Sequence, residues 1–247
     1  SILDKFPQLP VLANLGTRRP SFDEVCKAVK GLKNNKASGP DGIPAELLKH
    51  GGMNLLHRLH CFITTAWTSG KIPQQWKDAN IIKIYKRKGD KADCGNSRVI
   101  SLLSTAGKVL ASIMLNRLLT SVADVVLPES QCGFRRERGT SDMIFVARLL
   151  QEKFREQHKD LYLAFIDLTK AFDTVNRELL WDVLKKFGCP PLFLTVLREF
   201  HDGMSARVVV DGLESEPFEV LVGVKQGCLL APVIFNLFLV AVTLLFR

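Results

Sequence analysis

At 247 residues the chain is long enough for one large core or two modest ones, and 47% hydrophobic with 24% charged residues is ordinary for a globular protein, not a disordered or fibrous one. A net charge of +9 and a pI near 9.3 argue for a polyanionic partner, nucleic acid first and an acidic membrane surface second. Six scattered cysteines without a Cys-x-x-Cys give no zinc ribbon, and they suit a reduced intracellular compartment, nuclear or cytoplasmic, with no disulfide partner.

Residues 1–20 hold prolines and little periodicity and read as a linker. Ser21 and Glu24 make a capping box that opens a helix with Val25, Ala28, Val29 and Leu32 on one face. Residues 33–42 form a polar loop, residues 44–50 a helix ended by Gly51-Gly52, and residues 54–68 a second helix ended at Ser69-Gly70. An isoleucine-rich strand is expected over 79–85, then a basic turn with Lys86, Arg87, Lys88 and Lys91, then an ordered stretch over 99–103. A long helix follows over about 105–121. Thr140 or Ser141 caps another, with Met143, Ala147, Leu150 and Phe154 at i, i+4, i+7 and i+11.

The apolar run 161–166 predicts a strand that delivers Asp167 to its end. Helices are expected over 177–187 and 192–201. Residues 207–210 and 218–222 flank Asp211-Gly212 as a hairpin with a loop longer than two residues. The run 228–246 approaches membrane-spanning length, but Pro232 and Asn236 interrupt it and favour a buried helix over a transmembrane one. Helices dominate, with strands concentrated from 161 onward. The fold class is α+β.

Several residues carry candidate chemistry. Asp167 is a carboxylate held by an apolar segment, and Asp often ends strands for structural reasons alone. Asp173 precedes the 177–187 helix, where a carboxylate stabilises the positive dipole end, so capping is the favoured reading. Phe172 is by default a core aromatic. Gln226-Gly227 allows close backbone approach to a ligand. Lys83, Lys86, Arg87, Lys88 and Lys91, with Arg98 beyond them, form a patch able to hold phosphates, as can Arg135, Arg136 and Arg138. His57, His60 and Cys61 lie close together but lack a fourth ligand, so a metal role is not assigned to them.

Five blocks in order, over about residues 21–240, resemble the reverse transcriptase of non-LTR (LINE-type) retrotransposons, with RTE-like elements as one form the resemblance admits. They are Lys-Ala-Ser-Gly-Pro-Asp-Gly at 36–42, Arg98 before Val-Ile-Ser-Leu-Leu, Gln-Cys-Gly-Phe-Arg at 131–135 with Gly139-Thr140, residues 164–175, and Gly-Val-Lys-Gln-Gly-Cys at 223–228 with Pro232. Ser97 and Val99 depart from the family's usual residues beside Arg98, and Leu229, Leu230 and Ala231 depart from its wording after Gln-Gly-Cys.

The resemblance implies a right-hand polymerase fold, with helical fingers over about 21–155 and a partial palm sheet over about 156–247, truncated before the second catalytic motif. It implies two-metal nucleotidyl transfer in the full-length protein, with template RNA, primer DNA and a deoxynucleotide as partners and no membrane. Asp167 would be catalytic, and Asp167 with the Leu168 carbonyl would bind Mg²⁺ or Mn²⁺, expected only in a complete palm. Phe172 would exclude a ribose 2′-hydroxyl, Gln226 and Gly227 would line the nucleotide pocket, and Arg98 would contact the triphosphate. The sequence contains no Asp-Asp pair, so this stretch alone is expected to be inactive. The alternatives are a non-catalytic RNA- or DNA-binding remnant and a membrane-anchored protein using 228–246.

Overall fold

The structure is a computed structural model, and it describes residues 8–12, 15, 18–135 and 137–245. Arg136 and Phe246 of the readings above, with much of residues 1–20, lie outside the described residues.

The capping box forms as expected. The Ser21 amide donates to Glu24, the Glu24 amide donates to Ser21 Oγ, and helix α1 (Phe22–Lys30) buries Val25, Ala28 and Val29. Helices α2 (Ala45–His50) and α3 (Gly52–Ser69) follow, with Gly70 ending the second. A four-residue helix α4 (Gln74–Lys77) leads into strand β1 (Ala79–Tyr85), and the basic turn returns the chain as β2 (Ser97–Leu103). Helix α5 (Thr105–Leu118) starts at a Ser104 cap and loosens into a π-helical turn, Leu119–Ala123. Then come α6 (Thr140–Glu156), α7 (Arg177–Lys186), α8 (Pro191–Glu199), strands β3 (Ser205–Val210), β4 (Leu213–Glu214) and β5 (Phe218–Glu219), and α9 (Ala231–Leu244).

One five-stranded sheet runs β2-β1-β3-β4, with β5 also on β3. Strand β1 pairs antiparallel with β2 (Ile82 opposite Ile100) and parallel with β3 (Ala79 opposite Ala206). The core lies between this sheet's helical neighbours and is built from α1, α3, α5, α7, α8 and α9, with Trp67, Leu110, Leu180, Phe193 and Ile234 fully enclosed. Leu9 and Leu12 donate to the carbonyls of Lys186 and Gly188, and Leu15 is buried, so the described part of 1–20 packs on the end of α7 instead of hanging free. Among the described residues no helix is long and apolar enough to cross a membrane. Helix α9 is instead a core helix, burying Val233, Ile234, Leu237 and Val240.

Four expectations are corrected. Residues 161–166 form no strand, because no described strand offers them a ladder. Tyr162, Phe165 and Ile166 stand 89%, 92% and 85% exposed. The periodic face of α6 is not buried: Met143 and Leu150 are exposed, and the helix buries no residue. The hairpin loop is minimal. Val210 pairs with Leu213 across Asp211 and Gly212, whose φ of 52° and 81° make the mirror-image turn that matches strand twist. Finally, the two longest strands, β1 and β2, precede residue 161, and their sheet recruits β3 from more than a hundred residues downstream.

Candidate active site

The segment 222–228 is where the separate motifs meet. Its backbone binds two others. The Gly223 amide donates to the Val175 carbonyl at 3.0 Å and the Val224 amide to the Phe172 carbonyl at 2.8 Å. On the other side the Ser101 amide of β2 donates to the Gln226 carbonyl at 2.8 Å. Two glycines make these approaches possible. A Cβ on Gly223 (φ +80°) would stand 2.6 Å from the Asp173 carbonyl oxygen, and one on Gly227 (φ +117°) 2.6 Å from that of Ser101. The loop at 172–175, the Gln226-Gly227 turn and the strand carrying Arg98 are therefore one backbone-bonded junction.

Phe172 is half-buried against the core. Its ring lies 4.9 Å from that of Phe235 on α9 and 6.1 Å from that of Phe134. Asn236, buried next to Phe235 on α9, donates to the Gly133 carbonyl at 2.7 Å and accepts from Gln131 at 3.2 Å. The 131–135 block is thereby fixed on α9.

Asp167 and Leu168 are exposed, in a segment without regular secondary structure instead of at a strand end. Asp173 is exposed and does not cap α7. The cap is Asn176, whose Oδ1 accepts from the Leu179 amide at 3.0 Å, because only the residue just before the first helical turn reaches that amide. His57 stacks on Phe22 at 4.2 Å and His60 bonds the Pro20 carbonyl at 2.9 Å, so both are occupied in packing. Among the described residues no three His, Cys, Asp or Glu side chains gather as metal ligands.

The basic residues divide into two kinds. Lys86, Arg87 and Lys88 occupy the turn after β1, where Lys86 Nζ reaches the Gly95 carbonyl at 2.8 Å. Arg135 and Arg138 instead pair with Glu129, and Arg135 also donates to the Pro128 carbonyl at 2.9 Å. Gly227 borders a further cleft of about 200 Å³, with Lys33, Lys36 and Lys108 around Leu32, Ala45 and Leu229. Burial lowers the Lys108 pKa, which Asp41 partly offsets.

Beneath the junction are three buried basic groups that reading the sequence did not single out. The Arg177 Nε donates to the Gly223 carbonyl at 2.7 Å and its Nη1 to the His201 carbonyl at 3.0 Å. Lys225 Nζ donates to the Lys77 carbonyl at 2.7 Å and lies 4.3 Å over the Phe200 ring. Burial depresses the Lys225 pKa to about 7, with Arg177 and Lys77 adding to the effect and Cys228 and Asp78 opposing it. Burial, reinforced by Lys225 and Arg177, pushes His201 down to about 3. The signal for Arg177 was available: a cation in the first turn of a helix opposes the dipole, so it must be held there for another reason.

Residues 85–245 match the family described as Reverse transcriptase (RNA-dependent DNA polymerase). The chain is 29% identical over 239 residues to the RNA-directed DNA polymerase from mobile element jockey of Drosophila melanogaster, covering 96% of this chain and 26% of that protein. It is 30% identical over 234 residues to the Drosophila funebris jockey polymerase, covering 94% of this chain and 25% of that one. It is also 28% identical over 203 residues to the polyprotein of retrotransposable element R2DM, covering 82% of this chain and 18% of that one. The chain thus spans about a quarter of the jockey proteins' length. It belongs to the reverse transcriptase family.

Proposed function

We propose that this chain supplies the fingers and part of the palm of an RNA-directed DNA polymerase that copies a retrotransposon RNA. The observation that carries the reading is the junction itself, which ties the loop after Asp167 and the strand bearing Arg98 to the two sides of one turn. In this arrangement Phe172, Gln226 and Gly227 face the incoming deoxynucleotide and Arg98 its triphosphate. Lys86, Arg87 and Lys88 track the phosphates of template or primer, and Lys33, Lys36 and Lys108 add positive charge on the cleft beyond Gly227. Arg135 and Arg138 contribute less, since they share the Glu129 carboxylate, which leaves one net positive charge between them.

Mg²⁺ or Mn²⁺ would supply the activation of the attacking hydroxyl and the neutralisation of the leaving phosphate. Asp167 and the Leu168 carbonyl offer one carboxylate and one carbonyl, which do not by themselves fit a two-metal centre. No step is therefore assigned through the metal. The relatives extend well beyond the matched stretch, which leaves room for further carboxylates outside it.

The test is primer extension on an RNA template, comparing residues 1–247, a polypeptide of the relatives' length, and its Asp167→Asn variant. Extension by the long polypeptide alone, lost on Asp167→Asn, is expected. Extension that survives Asp167→Asn would remove Asp167 from catalysis. Salt-dependent RNA binding by a long polypeptide that never extends would favour the non-catalytic reading.

A further inference from the structure

Segment 222–228 meets its functional neighbours through backbone atoms, so something else must hold it at the right height. Two buried side chains do. The Arg177 guanidinium spans three carbonyls: Nε to Gly223 at 2.7 Å, Nη2 to Val222 at 3.4 Å and Nη1 to His201 at 3.0 Å. It thereby ties the start of the segment to the start of α7 and the end of α8. Lys225 reaches the Lys77 carbonyl just before β1 at 2.7 Å and lies 4.3 Å over the Phe200 ring, next to the His201 carbonyl that receives Arg177. Lys77 in turn binds Glu199 at 2.8 Å and the Asp202 carbonyl at 3.3 Å.

Neither Arg177 nor Lys225 has a carboxylate within ion-pair distance among the described residues, although both are more than nine-tenths buried (8% and 4% exposed). Burying a basic group with no carboxylate in ion-pair reach is costly, and an apolar side chain of similar volume would fill the space at lower cost. Stability does not explain them. What they add is geometry. A forked donor and a long single donor fix the carbonyls of Val222 and Gly223 and the side chain of Lys225, on either side of Val224 in sequence, to the end of α8 and the residue before β1.

We propose that Arg177 and Lys225 are positioning residues that hold the Gln226-Gly227 turn against β2 and the Phe172 loop from below, and so set the height of the nucleotide-facing surface without touching nucleotide. The consequence for catalysis rests on the polymerase reading. The positioning itself does not. His201 belongs to the same bracket: its carbonyl receives Arg177, its Nδ1 donates to the Leu197 carbonyl at 2.9 Å, and Nε2 finds no partner.

Two measurements test this. Amide hydrogen exchange on the chain, wild type against Arg177→Met, Lys225→Met and the conservative Arg177→Lys, reads the bracket directly. The amides of Ser101, Gly223 and Val224 should exchange at least about tenfold faster in both Met variants, while those of α5 stay unchanged. Arg177→Lys should restore part of the protection. Equal acceleration of every amide would mean the two cations merely stabilise the fold, and unchanged Ser101 and Val224 would overturn the proposal. In the long polypeptide, the same variants should raise KM for deoxynucleotide about tenfold with little change in primer–template affinity. A fall in kcat alone, at constant KM, would contradict it. Should the parent polypeptide not extend a primer, the polymerase reading fails, and the exchange result still decides the positioning.

Discussion

The amide of Ser101 and the carbonyl of Gln226 are 2.8 Å apart, and that bond joins β2 to a turn more than a hundred residues away in sequence. It lies beside Gly227, which has no room for a Cβ, and directly along the strand from Arg98. The close approach is possible only with bare backbone on one side.

Gly227→Ala should therefore be among the most damaging single-methyl changes in the chain. The residue would have to hold φ near +117° and displace Ser101, at a combined cost of about 2–3 kcal/mol. Gly223→Ala should cost a similar amount through the Asp173 carbonyl. Chemical denaturation of both, beside Gly212→Ala where a Cβ meets nothing within 4 Å, separates the clash from the backbone preference alone.

A second prediction concerns acid. His201 has a folded-state pKa of about 3 against 6.5 unfolded, so below pH 6.5 the unfolded chain binds a proton that the folded chain refuses. Stability from neutral His201 is thus complete above pH 6.5 and is lost as pH falls toward 3, at up to about 1.4 kcal/mol per pH unit. Glu24 adds its own loss only lower down: burial alone would raise its pKa, but the bonds from Arg117 and Ser21 together hold it below 4.5. Between pH 6.5 and 5, His201→Gln should flatten the stability profile. An unchanged slope there would show that another group controls it.

Arg117 supplies a third. It is buried, forks onto Glu24 with two bonds of 2.8 Å, donates to the Arg18 carbonyl at 2.8 Å and stacks 4.9 Å over Trp67. Removing it strands a partly buried carboxylate and opens the Trp67 face, so Arg117→Ala should destabilise by about 3 kcal/mol. Arg117→Ala with Glu24→Gln should recover part of that loss in a double-mutant cycle.

A fourth separates the two sets of basic residues. Replacing Lys86, Arg87 and Lys88 by Ala should reduce the slope of log K against log salt by up to about 2–3, if each meets one phosphate of RNA or an RNA–DNA duplex. Replacing Arg138, already paired with Glu129, should move it far less. Filter binding over a salt series reads both.

Local chemistry made much of this fold legible. The Ser21–Glu24 box, the end of α3 at Gly70 and strand β1 all follow from short-range rules and fall where the residues place them. The resemblance carried by the motif blocks was legible too, and the family match bears it out. Long-range pairing was not. Nothing in residues 79–85 announces a parallel partner at 205, and nothing in 161–166 reveals that no described strand will bond to it. The same limit applies to α6, whose apolar periodicity is real but faces no neighbour in the described structure. The two cations beneath the junction escaped because a lysine between Val224 and Gln226 reads as solvated until the backbone around it is known to be core.

The claim on which the account turns is that the junction of Phe172, Gln226 and β2 faces the incoming nucleotide. Phe172→Val in the long polypeptide tests it most directly, read as the ratio of kcat/KM for deoxynucleotide over ribonucleotide in single-nucleotide extension. Since Phe172 also packs on Phe235 at 4.9 Å, some loss of stability will accompany the change, and the ratio is insensitive to the fraction of folded enzyme. The account predicts that the ratio falls at least about tenfold as the smaller side chain admits the 2′-hydroxyl. An unchanged ratio in an enzyme that still extends primers would make Phe172 a core residue only and contradict the placement of the nucleotide.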